Sequence, residues 1–347
     1  MSLDFLKRLL NAPGPSSQEV APARVWRDEA AAFADEISTD VRGNSFALLK
    51  GGKTRVLLVG HIDEIGLIVS YIDDDGFISF AGVGGWDAQV LVGQRIRLLG
   101  KQGDVIGVIG KKPIHLMKKD EGSSTIDDLW IDIGVTSRAA ASELIRVGTV
   151  GVIDATMYEL PNGRIVSRSI DNRIGAYTVL EALRLLSQDR PAATVAAVAT
   201  AQEEITFAGA HTAAFSFEPD AAIVVDVTHA TDYPTANKKS AGEANLGGGP
   251  VIAAGSVNSP IVHQTLLDIA DRDGIPYTIK VNAARSATDA DAIHYARGGV
   301  AVGVVSIPNR YMHSPNEMIQ MSDVQHAARL IATFVQSLTA DTDFIPR

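Results

Sequence analysis

The stretch Val56-Leu-Leu-Val-Gly-His-Ile-Asp63 decides how the rest of the chain is read. An unbroken run of apolar residues marks a strand covered on both faces, as in a parallel sheet with helices on either side. The run ends at once in a histidine and an acid. The same grammar returns at three distant places. Thr194–Thr200 leads to Glu203 and Glu204, Ala221–Val225 leads directly into Asp226, and Val300–Ile307 leads into a loop carrying His313. Ligands of open α/β sheets bind beyond the carboxyl ends of the strands, so this topology gathers the polar residues in one place. Helical stretches lie between the runs. Asp171–Ser187 carries Ile174, Tyr177, Leu180 and Leu183 on one stripe, Ile261–Asp273 is closed by Gly274, and Ser322–Leu338 forms a last helix. The expected class is α/β, with a mixed, mostly parallel sheet flanked by helices.

The segment between Gly76 and Gly163 departs from this grammar. It holds 14 of the chain's 31 glycines. Short β-like runs recur at Phe77–Phe80, Arg95–Leu99, Val105–Ile109, Leu129–Ile133 and Val150–Ile153, with turns such as Gly100-Lys-Gln-Gly103 between them. No helix of ordinary length precedes Ser137–Val147. Such a stretch reads as a small β-barrel-like domain inserted into the α/β one. The expected division is 1–69 with 167–347 for the α/β domain and 70–166 for the insert. At the start of the chain, an amphipathic helix from Leu3 to Leu10 is stopped by Asn11-Ala-Pro-Gly-Pro15. Ser16-Ser17-Gln-Glu19 then reads as the cap of a second helix running to about Asp35.

The chain has 347 residues, 46% hydrophobic and 21% charged, which excludes a wholly disordered polypeptide. Its net charge of −10 argues against nucleic acid or an anionic membrane as partner, because both select basic patches. There are no cysteines, so disulfides, thiol catalysis and thiolate-bound metals are excluded. The polar N-terminus does not resemble a secretory signal and no apolar run is long enough to span a bilayer. A cytoplasmic location is the default expectation.

Chemistry collects in two histidines, His61 and His313, and five acids, Asp63, Asp171, Glu203, Glu204 and Asp226. Taken singly, several have ordinary explanations. A His-x-Asp pair is often a surface hydrogen bond, and an acid opening a helix, as Asp171 does, is often only an N-cap. Two adjacent acids directly after a buried strand are harder to explain, since like charges there are costly unless a cation neutralises them. Imidazole and carboxylate without thiolate form the donor set of a catalytic zinc, cobalt or manganese site. A carboxylate bridging two ions is a common dinuclear arrangement. Glu203 and Glu204 are expected on an extended segment, with side chains pointing to opposite sides and hence separate tasks. The other six histidines read as structural or exposed, with His229 the candidate for a supporting role.

In this order, the motifs resemble those of the tetrahedral aminopeptidases, co-catalytic dinuclear metallopeptidases of which some have been labelled endoglucanases. The resemblance covers nearly the whole chain. It rests on Ala12-Pro-Gly-Pro15, Gly60-His-Ile-Asp-Glu-Ile-Gly66, Val83-Gly-Gly-Trp-Asp87 and Ile170-Asp-Asn-Arg-Ile-Gly175. It continues through Gln202-Glu-Glu204, Val225-Asp-Val-Thr228, Thr288-Asp289 and Arg310-Tyr-Met-His-Ser-Pro315. It implies a zinc-peptidase-like fold in which His61 and Asp226 hold one metal, Glu204 and His313 hold the other, and Asp171 bridges both. Glu203 would be the general base and Asp63 would orient His61. The cofactors implied are two divalent ions per subunit, Zn2+ or Co2+, with Mn2+ also possible. The insert would be a dimerisation domain and the assembly a tetrahedral dodecamer, built from dimers, whose sites face inward.

Three stretches depart from the usual family sequence: Ile205-Thr-Phe-Ala-Gly-Ala210, Ser169-Ile170 and Ser286-Ala287. Every implied ligand is nonetheless present. Thr206 and Phe207 are expected near the pocket rim, where they would bear on substrate preference. The leading reading is a metal-dependent aminopeptidase that removes N-terminal residues from short peptides. The alternatives are a dinuclear deacylase or carboxypeptidase acting on small N-acyl amino acids, a metal-free glycosidase, and a non-catalytic metal-stabilised scaffold. A structural site needs ligands but no base, so Glu203 speaks against the last.

Overall fold

The computed structural model describes residues 1–116 and 122–347. An eight-stranded sheet forms its centre. In spatial order the strands are Glu36–Thr39, Ser45–Leu49, Thr194–Thr200, Arg55–His61, Ala221–His229, Ala301–Asn309, Val251–Ala254 and Thr278–Val281. The four central strands are parallel, with Val198 and Val224 both opposite Val59. Ser45–Leu49 runs antiparallel on one side and Val251–Ala254 antiparallel on the other. The sheet is therefore mixed, as expected. Val251–Ala254 and Thr278–Val281, which the apolar pattern does not single out, complete one edge.

The unbroken apolar runs follow from burial on both faces. Leu58 enters the cluster with Phe5, Trp26, Leu180, Leu183 and Phe334, while neighbouring Leu57 enters the opposite one with Ala210, Ala213, Ala214 and Ile293. Successive strand residues point to opposite faces, so a strand sandwiched by helices needs an apolar residue at every position. Burying each leucine contributes roughly 1.5–3 kcal/mol. On the first face, the Ile170–Gln188 helix lies hard against the Arg55–His61 strand. A Cβ added to Gly60 would sit 2.3 Å from the backbone of Gly175, so a side chain at Gly60 would force helix and strand apart.

The inserted β segment forms a closed antiparallel barrel of six strands. Its order is Gly66–Ile72, Ile78–Val83, Leu129–Asp132, Gly103–Lys111, Arg95–Gly100 and Val150–Ile153, the last pairing back to the first. Leu67, Ile78, Ile96, Leu98 and Ile131 fill the interior. A small antiparallel sheet of Tyr158–Leu160, Arg164–Ser167 and Glu317–Gln320 joins the chain leaving the barrel to the loop after Ala301–Asn309. Among the described residues, no helix is long and apolar enough to cross a membrane.

Two expectations about the N-terminal region are corrected. The second helix spans only Val20–Ala30, and no side chain caps its start. Ser16 instead donates to Asp63 at 2.7 Å, and Glu19 accepts the backbone N–H groups of Ser17 and Gln202. The capping-like residues are drawn to the edge of the sheet.

This region is held by a buried charge cluster. Glu64 accepts from Arg173 at 2.7 Å, from the Gly14 N–H at 3.0 Å and from Arg168. The Arg173 guanidinium, fully buried, also donates to the carbonyls of Leu9, Leu10, Ala12 and Ile62. Removing one partner of such a cluster leaves uncompensated buried charge, which costs about 3–5 kcal/mol. Glu64→Ala is therefore expected to lower the denaturant-unfolding free energy by about that amount; a loss below about 1 kcal/mol would contradict the role given to this cluster.

Candidate metal centre

Each site residue is set by the local form of its element. His61 is the last residue of its strand, and Asp226 lies within Ala221–His229 rather than beyond its end. Asp171 occupies the opening of the Ile170–Gln188 helix with non-helical angles (φ −74°, ψ 109°), so it is not a helix cap. His313 follows the Ala301–Asn309 strand in a left-handed conformation, φ 58°. Glu203 and Glu204 are not extended, contrary to expectation. Gln202 turns left-handed at φ 62°, and the pair opens a single helical turn, Glu203–Thr206. Their side chains still diverge, because successive residues on a helix are about 100° apart.

All seven predicted residues converge. His61 Nε2 lies 3.3 Å from Asp171 Oδ1, 3.7 Å from Glu203 Oε2 and 3.9 Å from Asp226 Oδ1. His313 Nε2 lies 3.4 Å from both Asp171 Oδ2 and Glu204 Oε2. Two groups of potential ligands result, His61 with Asp171 and Asp226, and Asp171 with Glu204 and His313, each with its donor atoms within 4.8 Å of one another. Asp171 belongs to both and offers one oxygen to each histidine. Asp63 stands behind, 3.4 Å from His61 Nδ1, and accepts the N–H groups of Glu203 and Glu204 at 3.1 and 3.2 Å.

The electrostatics show how much positive charge the cluster demands. Burial, with Asp226 close by, pushes Glu203 well above the usual carboxylate range, and burial with Asp171 nearby does the same to Asp226. Hydrogen bonds to Asp171 and Glu204 push the His313 imidazole up to about 11. Burial works against a charged His61, yet Glu203, Asp171 and Asp63 outweigh it and hold its value well above that of ordinary histidine. The Glu204 Oε1 atom is buried without a hydrogen-bond partner. An all-nitrogen-and-oxygen donor set, excess carboxylate and an orphaned buried oxygen together fit divalent cations.

The insert reaches this site. The turn Gly84-Gly85 follows the Ile78–Val83 barrel strand, and a Cβ at Gly85 would lie 3.2 Å from His313 Nδ1. Trp86 anchors the turn by donating to the Gly66 carbonyl at 2.8 Å. The donor atoms open into a cavity of about 340 Å³ whose wall includes Phe207, Thr228, His229, Lys280, Ser286 and Ala287. Phe207 thus lies where expected, whereas Thr206 is not part of the lining. His229 faces the cavity beside Lys280 and does not support a ligand from behind. A larger, open depression lined by Lys53, Asp220 and His294 gathers no comparable cluster among the described residues.

Comparison with known proteins agrees with this geometry. Residues 43–330 match the M42 glutamyl aminopeptidase family. The chain belongs to that family. A lysyl aminopeptidase of Pyrococcus furiosus is 34% identical over 348 residues, covering 99% of each chain. A TET aminopeptidase of the marine sediment archaeon Thaumarchaeota archaeon SCGC AB-539-E09 superposes with a TM-score of 0.94 at 32% identity, over 98% of this chain and 97% of its own. The TET1 peptidase of Pyrococcus horikoshii, which can assemble into a tetrahedron or a large octahedral shell, superposes with a TM-score of 0.86 at 30% identity, over 97% of this chain and 99% of its own. The activity is that of a metal-dependent aminopeptidase, and the deacylase, glycosidase and scaffold readings are not favoured.

Other side chains shape the site, and of these only Asp289 falls in a quoted motif, Thr288-Asp289. Glu317 accepts the backbone N–H groups of Asp171 and His313. Asp289 accepts from Thr200 at 2.5 Å, and burial raises its carboxyl to about 6. Lys280 sits in a short edge strand whose alternation looks like ordinary surface. The available clue for Glu317 is an acid at the head of an otherwise apolar stretch, four residues past His313.

Proposed function

We propose that the chain removes N-terminal residues from short peptides with two divalent ions held by His61, Asp226, Glu204 and His313 and shared through Asp171. The observation that carries this is the pair of donor triads with Asp171 common to both. Divalent ions held by these residues would supply Lewis-acid polarisation of the scissile carbonyl and a more acidic water. The free ammonium of the peptide would anchor near the metals and the acids that line the cavity. Glu203 takes a proton from the attacking water at its carboxylate and returns it to the leaving amine. Asp63 keeps His61 and the Glu203-Glu204 turn in register. Zinc or cobalt suits the donors best, with manganese also compatible, and the inferred location is the cytoplasm.

The segment 70–166 is inferred to be a dimerisation domain, and the assembly a dodecamer built from dimers. The shell formed by the Pyrococcus horikoshii relative supports this. Sedimentation at micromolar concentration should show a large assembly; a 36.8 kDa species alone would exclude it.

The cavity also suggests a preference. Lys280 is half-buried on the wall and donates to Thr228 at 2.7 Å, and no carboxylate pairs with it among the described residues. An ammonium so placed suits an acidic first side chain and repels a lysyl one. A charge-assisted contact is worth about 1.5–3 kcal/mol. Lys280→Met should therefore lower kcat/KM on a glutamyl anilide by about ten- to a hundredfold, while changing a leucyl anilide by no more than a few-fold. Equal losses on both substrates would remove Lys280 from the recognition of substrate.

The mechanism is tested by paired variants. Glu204→Ala is expected to lose one metal equivalent together with activity. Glu203→Gln should keep two equivalents and bind substrate, with kcat reduced on the order of 10²–10⁴. If Glu203→Gln sheds metal while Glu204→Ala retains both, the two roles are reversed.

A further inference from the structure

We propose that Glu317 is a positioning residue that fixes Asp171 and His313 relative to each other and so controls occupancy of the Asp171–Glu204–His313 triad. This rests on the assignment of Asp171 and His313 as ligands. Glu317 heads the Glu317–Gln320 strand, opposite Ser167 in the small sheet, and is buried. Its two oxygens do different work. Oε2 accepts the Asp171 N–H at 2.9 Å, and Oε1 accepts the His313 N–H at 2.9 Å. One carboxylate thereby ties together two backbone points far apart in the chain. Both points are irregular, since Asp171 is non-helical at the start of its helix and His313 is left-handed. Neither N–H has a place in a regular helix or sheet ladder, so the carboxylate is what sets their separation.

Asp63 does the same at a second place in the site. Its Oδ1 accepts the Glu203 N–H and its Oδ2 the Glu204 N–H. The site is thus assembled by two buried carboxylates, each a double acceptor, each fixing two functional residues through the main chain. Glu317 makes no contact with the cavity that holds the donor atoms; it lies behind Asp171, in a small space shared with Arg168 and Trp86. Its effect passes through the residues it holds.

The geometry gives an asymmetric expectation. The triad containing His313 has two of its three residues held by Glu317, whereas the triad containing His61 has only Asp171 so held. A glutamine at 317 keeps the volume but presents one acceptor and one amide donor, so one of the two N–H groups loses its partner. A purely structural role, the satisfying of two buried donors, would reduce stability and leave metal affinity alone.

The test is a titration of metal-free wild-type and Glu317→Gln protein with zinc and with cobalt against a competing chelator. Far-ultraviolet circular dichroism and oligomer size serve as the check on folding. Two equivalents are expected in wild type. In the variant, one equivalent should bind at least tenfold more weakly and the other within a few-fold of wild type. Unchanged affinity at both sites with a lowered thermal midpoint overturns the proposal and leaves Glu317 a structural residue. Equal weakening at both sites also overturns it, because the effect would then pass through the shared Asp171 alone and not through its pairing with His313. A wild type that binds fewer than two equivalents overturns the ligand assignment itself, a distinct outcome seen before any variant is made. If Glu317→Gln does not fold, Glu317→Asp is read by the same criterion; it keeps both acceptors and the charge one methylene further back.

Discussion

Carboxylate crowding is the constraint on which the rest of the structure turns. Asp63, Asp171, Glu203, Glu204 and Asp226 occupy one end of the central sheet, largely out of water. Like charges in a poorly solvated space raise one another's pKa values and drive the chain apart unless something compensates. Three kinds of compensation are visible. Two imidazoles sit among the acids. Main-chain N–H groups point at the carboxylates standing behind the cluster, Asp63 and Glu317. The donor atoms are grouped so that cations fit between them. Each compensation demands exact backbone placement, and this explains the left-handed residues at Gln202 and His313 and the close approach of Gly60 to Gly175.

The scaffold answers that demand with rigidity. Central strands packed on both faces cannot slide, and Arg173 with Glu64 fastens the first turns of the chain to the helix that carries Asp171. The barrel adds a wall on the remaining side, where the Gly84-Gly85 turn lies against His313. Glycine there is a matter of space, since any side chain would push on the imidazole.

Much of this was legible in the sequence because its cause is local. Burial on two faces forces unbroken apolar runs such as Val56–Val59, and a polar residue at the end of such a run has to have a reason. His61, Asp226 and the Glu203-Glu204 pair stand out on that ground, and glycine density marks the barrel. The rest was hidden for equally physical reasons. Residues that act on main-chain N–H groups need no partner side chain, so Glu317 leaves no recognisable spacing. Ser16-Ser17-Gln-Glu19 imitates a helix cap because capping and clamping use the same oxygen chemistry. The turn at Gln202 that makes Glu203 and Glu204 helical is imposed by tertiary contacts, Glu19 accepting its N–H at 3.2 Å among them. Lys280 looked like surface because an edge strand with one wet face and one cavity wall has the same alternation as any other.

The spread of the clamps along the chain has a consequence in time. His61 faces Asp171 and Glu203, and the Asp171 N–H is held in turn by Glu317, so the site closes over contacts that span most of the sequence. Pairings between distant residues form late, because the intervening chain must first be ordered. The first two-thirds of this polypeptide carries the barrel strands and five of the eight strands of the central sheet, but neither His313 nor Glu317. A chain ordered this way completes its cluster only when its last third is in place, because His313 and the carboxylate that holds it both come from there.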